Sequence, residues 1–346
     1  MPLLAEGIAA WSDALRANEA WVAALEAAFD AVGFTDNYVA SPADIRGRRL
    51  VKAVKDRVWG MIELDSASMA LVDCPLFQRL RQVSQLGFTY LTYPTARHSR
   101  FEHSLGAFHV VGRLLDSFRV TAALDAGTGE RTRAVSFEAP EQNLIRHAAL
   151  LHDVGHAAFS HVTEKAFERA QDTRTVGPYT VTEFMKLFRG ACLTSSNIFS
   201  KDLKLSELMS VAFVTSDRFR TFYEVRTGVG DYHGLHPTLH IGALMLGHHV
   251  APGDRALPQI LSGPVDADKI DYMQRDSQAC GISLGIDIAR VFLRAGVYQV
   301  PTAARLPSGM LEELPEGPVR IFVIDQSGTD TVTEMVVIKH AFEAGV

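Results

Sequence analysis

The 346 residues are 47% hydrophobic and 21% charged, enough apolar content to bury one large core or two modest ones, which excludes disorder as the main state. A formal net charge of −6, with 13 histidines counted neutral, provides no global basic excess for nucleic acid or anionic lipid, so a nucleic-acid partner would need a local basic patch. Cys74, Cys192 and Cys280 are far apart and form no CxxC pair, which argues against a disulfide framework or thiolate zinc site and fits a reducing cytoplasm. The N-terminal stretch carries Glu6 and Asp13 among its apolar residues and lacks a basic start, so it does not read as a signal peptide. The longest apolar run, near IGALMLG, is too short to span a bilayer, and no membrane partner is expected.

In chain order the pattern is mainly helical. Leu4, Ile8, Trp11 and Leu15, then Trp21, Leu25 and Phe29, recur at three- and four-residue steps and predict amphipathic helices within residues 1–45. Residues 40–75 are mixed, with SPADIRGRR as a loop and VWGMIEL as a short strand or turn. After Pro75 three helices are predicted, over Leu76–Leu86, Glu102–Phe118 and Glu141–Phe159, the last two separated by the polar loop AALDAGTGERTR. QDTRTVGPYT breaks the pattern, and helix resumes at VTEFMKLF. The segment GPVRIFVIDQSGTDTVTEMVVIKHAFEA reads as a strand, a Gly turn and a helix from about Thr329. The expected organisation is N-terminal helices (1–45), a main domain (46–295) and a C-terminal extension (296–346), all-α apart from a few strands.

The chemical signal lies in three segments. RHAALLHDVGHAAFSH contains the adjacent pair His152 and Asp153, which on a helix stand about 100° apart and reach an ion placed between them. RHSRFEHSLGAFHVVGRLL supplies His103, and PVDADKIDYMQRD supplies Asp268 from a distant segment. Two imidazoles and two carboxylates suit a divalent ion such as Mn, Fe, Mg or Zn and leave positions for water or a phosphate oxygen. His156 follows His152 by four residues, so on a continuous helix it shares that face, as a general acid to a leaving oxygen or a donor to phosphate.

The blocks FQRLRQVSQLG…YPTARHSRFEHSLG, LLHDVGHAAFSH and VDADKIDYMQRDSQACGISLG stand in one order over roughly residues 73–295. In these blocks the chain resembles the HD-domain deoxynucleoside triphosphate triphosphohydrolases of the human SAM-and-HD-domain type and their bacterial HD phosphohydrolase relatives. The resemblance implies a helical HD-domain core and metal ligation by His103, His152, Asp153 and Asp268. It implies catalytic roles beside the triphosphate for His156 and His161, with Glu164 as acidic partner. Substrate contacts follow in the same way: Arg100 near the α-phosphate and base, Gln85 and Leu86 at the deoxyribose and its 3′-hydroxyl, Lys269 on phosphate, Tyr272 on phosphate or sugar, and Asp276 on the 3′-hydroxyl. Asp73, Arg79 and Arg81 fall where activated members bind a regulatory nucleotide, though a solvated edge accounts for them equally well. The resemblance also implies a homo-oligomer, for which the apolar N-terminal helices offer surface.

This sequence departs from the family pattern in two places. Thr182-Glu183 stands where a His-Glu pair is expected, and Val346 precedes the position of a tyrosine that packs against the deoxyribose, leaving Lys339 as the one candidate basic residue there. His233, His236, His240, His248 and His249 form a histidine-rich tract without carboxylate or cysteine partners at ligand spacing, and read as caps and packing residues. His98, five residues before His103, lies within reach of the site. The expected activity is metal-dependent hydrolysis of deoxynucleoside triphosphates to deoxynucleoside and triphosphate. The alternatives are an HD phosphohydrolase acting on nucleoside monophosphates or single-stranded nucleic acid, and a nucleotide-sensing protein with reduced turnover.

Overall fold

The computed structural model describes residues 4–40, 52–125, 133–158, 160–169, 175–176, 179–180, 204–248, 253–300 and 318–324. Its centre is α6 (Arg100–Asp125), a helix buried along most of its first half and carrying exposed Arg113, Asp116 and Arg119 in its second: Phe101, Leu105, Phe108, Val111, Leu114 and Phe118 are all buried. So broad an apolar surface belongs in a core, and α7 (Ala139–Leu151), α13 (Ala267–Cys280) and α14 (Ile288–Arg294) pack around this helix. One end of α6 is covered by a three-stranded antiparallel sheet in the order β3–β6–β7 (Arg133–Val135, Ala295–Val300, Val319–Ile324). The remaining described helices are α1 (Leu4–Arg16), α2 (Glu19–Ala31), α3 (Asp36–Ala40), α4 (Ser66–Val72), α5 (Pro75–Gln78), α8 (His161–Arg169), α9 (Leu205–Thr215), α10 (Asp217–Thr227), α11 (Pro237–Met245) and α12 (Ala256–Ser262). The hairpin β1–β2 (Lys52–Asp56, Gly60–Leu64) precedes α4, and β4 and β5 (Thr175–Val176, Tyr179–Thr180) pair as two-residue strands.

The predicted class, a helical core with a small strand-containing C-terminal part, is the observed one. VWGMIEL holds β2, and GPVRIFVID holds β7. The helices expected at VTEFMKLF and from Thr329 lie outside the described residues. β7 does not stand apart from the core, because Arg320 reaches from it to the buried Glu141 and Asp254. No helix among the described residues is long and apolar enough to cross a membrane.

Two helix expectations are corrected. Leu76–Leu86 is not one helix: α5 gives way to a 3₁₀ turn at Arg79–Gln82, after which the amides of Ser84 and Gln85 donate to the carbonyls of Ala158 and His98. Glu141–Phe159 likewise ends at Leu151, with consequences for the site described below.

The later part of the N-terminal stripe is buried within the chain. Leu15, Trp21, Leu25 and Phe29 are buried, Phe29 meets Phe213 of α9 with ring centroids 5.3 Å apart, and Arg218 of α10 pairs with Glu26, Asp30 and Asp36. Leu15, Trp21, Leu25 and Phe29 therefore pack within the same chain.

Two positions in this core give measurable expectations. A Cβ on Gly106 would lie 1.7 Å from Asp271 Oδ1, so Gly106→Ala is expected to lower unfolding stability by at least about 2 kcal/mol in denaturant titration. His147 is buried against the hydroxyl of Tyr223 at 2.7 Å, and burial lowers its pKa from 6.5 to about 4. The unfolded chain then binds the extra proton below pH 6.5 and the folded chain does not, so stability is lost as pH falls from 6.5 towards 4. His147→Gln should flatten that loss, on the order of 3 kcal/mol for a shift of this size, in thermal melts across this range.

Candidate metal centre

Three backbone segments bring the candidate ligands together. His103 comes from the first turns of α6, His152 and Asp153 from the turn after α7, and Asp268 from the first turn of α13. The turn is tight: the amide of Val154 donates to Leu151 O at 3.2 Å and that of His156 to Asp153 O at 3.1 Å. It presses on α9, where a Cβ on Gly155 would lie 2.3 Å from Ser206 O, and the Gly155 amide donates to Ser210 Oγ at 2.8 Å. From behind, the half-buried Arg79 donates to the carbonyls of Val154 and His156. His152, Asp153 and His156 thus occupy a turn rather than the helix face expected, and Arg79 holds that turn.

His103 Nε2, His152 Nε2 and an oxygen of Asp268 lie within 4.8 Å of one another. Asp268 Oδ1 is 2.9 Å from His103 Nε2 and 3.6 Å from His152 Nε2. Asp153 flanks this trio, Oδ1 3.5 Å from His152 Nε2 and Oδ2 3.7 Å from His103 Nε2, while Arg100 Nη1 donates to Oδ2 at 2.7 Å. Both Nε2 atoms are buried and make no hydrogen bond of good geometry, whereas both Nδ1 atoms are engaged, with Asp271 Oδ2 and Ala149 O, each at 2.8 Å. A backbone carbonyl and an ionised carboxylate only accept, so each Nδ1 carries the proton and each Nε2 directs a lone pair into the cluster when the ring is neutral. Buried acceptors left without donors fit a divalent cation, and this donor set suits one.

The charges agree. Burial opposes ionisation of Asp268 and Asp153, but His103 and His152 beside the first, and Arg100 and the histidines beside the second, hold both well below the usual carboxylate range. Burial also opposes a charge on His103, yet Asp268 and Asp271 outweigh it and push the ring up to about 10. The carboxylates that attract this proton are the groups that would attract a cation in its place. His156 behaves oppositely, burial and the Arg100 charge lowering it to about 4 despite Asp153 at 3.3 Å, so it stays neutral.

The cluster opens on a cavity of about 560 Å³. Of the expected residues, Gln85, Leu86, Arg100, His152, Asp153, His156, His161, Asp268, Lys269, Tyr272 and Asp276 line it, and His103 lies fully buried beneath. Glu164 falls in α8, its side chain outside the described residues, as are Thr182, Glu183, Lys339 and His249. Lys269 Nζ donates to Gly263 O at 2.9 Å and to Asp266, so part of its hydrogen-bonding capacity is already engaged. Asp276 Oδ1 meets His98 Nε2 at 2.7 Å, and Gln85 Oε1 is buried without a partner. His236 caps α11 and His240 bonds Tyr232 O, and the described residues hold no second metal-like cluster.

The sequence reading missed Asp271, Arg275, Asp56 and Trp59, which stand behind His103. The signal was the spacing of Asp268, Asp271 and Arg275 at steps of three and four, which puts them along one side of a helix.

Part of this site falls within a known domain. Residues 100–205, from the start of α6 to the start of α9, match the HD domain. The chain carries an HD domain. It is 29% identical over 252 residues to the deoxynucleoside triphosphate triphosphohydrolase SAMHD1 homolog of Dictyostelium discoideum, covering 72% of this chain and 40% of that one. Against human deoxynucleoside triphosphate triphosphohydrolase SAMHD1 the identity is 35% over 117 residues, 34% of this chain and 17% of the human one. An uncharacterized Bacillus subtilis protein, YwfO, is 29% identical over 69% of this chain and 43% of its own length. The crystal structure of a phosphohydrolase from Bacteroides thetaiotaomicron shares the fold with a TM-score of 0.54 and 22% identity, covering 84% of this chain and 53% of that one. The HD-domain chain thus spans about two fifths of the full-length Dictyostelium and Bacillus relatives.

Removal of either central ligand gives the direct check. His103→Ala and Asp268→Ala are each expected to abolish stoichiometric Mn²⁺ loading in elemental analysis while leaving the helical circular dichroism intact, since the ligands come from helices held by other contacts.

Proposed function

We propose that this HD-domain chain is a metal-dependent phosphohydrolase that cleaves deoxynucleoside triphosphates to deoxynucleoside and triphosphate. The observation that carries this reading is the pair of buried Nε2 atoms without hydrogen bonds beside Asp268, opening on a cavity of nucleotide size. The activity for which the Dictyostelium and human relatives are named supplies the substrate class. A divalent cation held by His103, His152 and Asp268, with Asp153 beside them, would polarise a phosphate oxygen and lower the pKa of a water.

The chain's own groups divide the rest of the work. Arg100 is buried with Nη1 on Asp153 and Nε on Ser160 Oγ at 3.0 Å, so it orients Asp153 and leaves its positive charge at the cavity wall where phosphate charge develops. His156, kept neutral by its pKa of about 4, acts as a hydrogen-bond partner for phosphate oxygen rather than as the general acid. Its Nδ1 is buried without a partner. His161 stands 5.3 Å from His156 between ring centroids and extends the same wall. On the sugar side Gln85 and Asp276 take the 3′-hydroxyl, with Leu86 and Tyr272 against the ring, and Lys269 adds positive charge towards the phosphates.

A site built to bond a hydroxyl leaves its own polar groups unpaired when the hydroxyl is missing. With Mn²⁺, dGTP should release triphosphate, and dideoxy-GTP should show kcat/KM lower by at least about tenfold, as for loss of a hydrogen bond to a charged group. Chromatography of the products from dGTP, dideoxy-GTP and dGMP, with and without Mn²⁺, checks this. Cleavage of dGMP with dGTP untouched would instead mark a monophosphate hydrolase, and tight dGTP binding without turnover a sensor.

A further inference from the structure

His103 is gripped on the side away from the cavity by a chain of buried polar groups. Its Nδ1 donates to Asp271 Oδ2 at 2.8 Å, and Asp271 is fully buried. The same carboxylate accepts from Arg275 Nε at 2.9 Å and Nη2 at 3.0 Å, and from Trp59 Nε1 at 2.5 Å. Arg275 reaches on to Asp56, Nη1 to Oδ2 at 2.8 Å and Nη2 to Oδ1 at 3.2 Å. Asp56 closes the tip of the β1–β2 hairpin by accepting the amides of Val58 and Trp59 at 2.8 and 2.9 Å. One guanidinium thus serves two carboxylates, which leaves one negative charge over in this set.

We propose that Asp271 is the positioning residue of the metal centre, fixing His103 in the tautomer whose Nε2 faces Asp268, and that the β1–β2 hairpin holds Asp271 in place through Asp56, Arg275 and Trp59. The inference rests on the metal reading of the site. Asp271 is suited to the task because Arg275 and Trp59 occupy its remaining acceptor sites, so the carboxylate cannot swing towards the cavity. Gly106 supplies the room, since any side chain there would occupy the place of Asp271 Oδ1. A carboxylate on the far nitrogen also makes the imidazole a stronger donor to a cation, and loss of such a partner typically weakens metal binding by about 10–100-fold.

The test is Mn²⁺ titration of the metal-free chain, followed by electron paramagnetic resonance of the free ion, in the parent and in D271N. A folded D271N with affinity lowered by about 10–100-fold supports the proposal, and affinity within about twofold of the parent overturns it. A second measurement needs no stable Asp271 variant. In the parent, Zn²⁺ should shift the indole N–H proton resonance of Trp59, assigned through W59F, because its acceptor carboxylate is shared with His103. An unmoved resonance in a chain that binds Zn²⁺ overturns the proposal as well. A parent that binds neither Mn²⁺ nor Zn²⁺ overturns the metal reading and this one with it, whereas a parent that binds while D271N binds equally tightly overturns the positioning role alone.

Discussion

The close approach of α6 to α13 is the constraint on which the site depends. Gly106 lets the two helices meet where Asp271 and Arg275 are buried, and the same approach carries His103 of α6 to within 2.9 Å of Asp268 at the start of α13. Burying ionised groups is costly unless each finds a partner, and here the partners come in one connected set: Asp56, Arg275, Asp271, His103 and Asp268. The apolar surroundings, with Leu105, Ala107 and Ile270 buried nearby in sequence, exclude the water that would otherwise compete for these groups.

The second organising element is the turn after α7. A helix continued through His152 would carry Gly155 and His156 away from α9, whereas the observed turn seats Gly155 against Ser206 and Ser210 and leaves His152 Nδ1 bonded to the last turn of the helix it has just left. The histidine is therefore aimed by the carbonyl of Ala149, and the adjacent Asp153 by Arg100, from opposite sides. Candidate ligands that are neighbours in sequence are oriented by unrelated parts of the fold.

How much of this was legible in the sequence follows from which interactions are local. The run of apolar residues in α6, the strand in VRIFVI and the ligand-like residues at 103, 152, 153 and 268 are all readable from residue type and order. The end of α7 at Leu151 was not, because the apolar spacing continues at helical steps through Leu151, Val154, Ala157 and Ala158 and the interactions that hold the turn, with Arg79 and α9, are remote in sequence. The same reasoning explains Arg79, whose charged side chain suggested a surface until the carbonyls of Val154 and His156 turned it inward. Asp271 was visible only as one more acidic residue on an amphipathic helix; its neighbours Trp59 and Asp56 lie more than two hundred positions away.

The bonds between residues 79–85 and 151–160 have a metric consequence. Ser84 N is tied to Ala158 O, Ser160 Oγ donates to Ser84 O at 2.6 Å, and Ser160, held at a φ of 49°, receives Arg100. The wall that carries Gln85 and Leu86 is thereby fastened to the turn that carries His152 and Asp153. Those two stretches of the cavity lining thus stand like two marks on one ruler, their spacing set by the protein's own bonds rather than by a ligand.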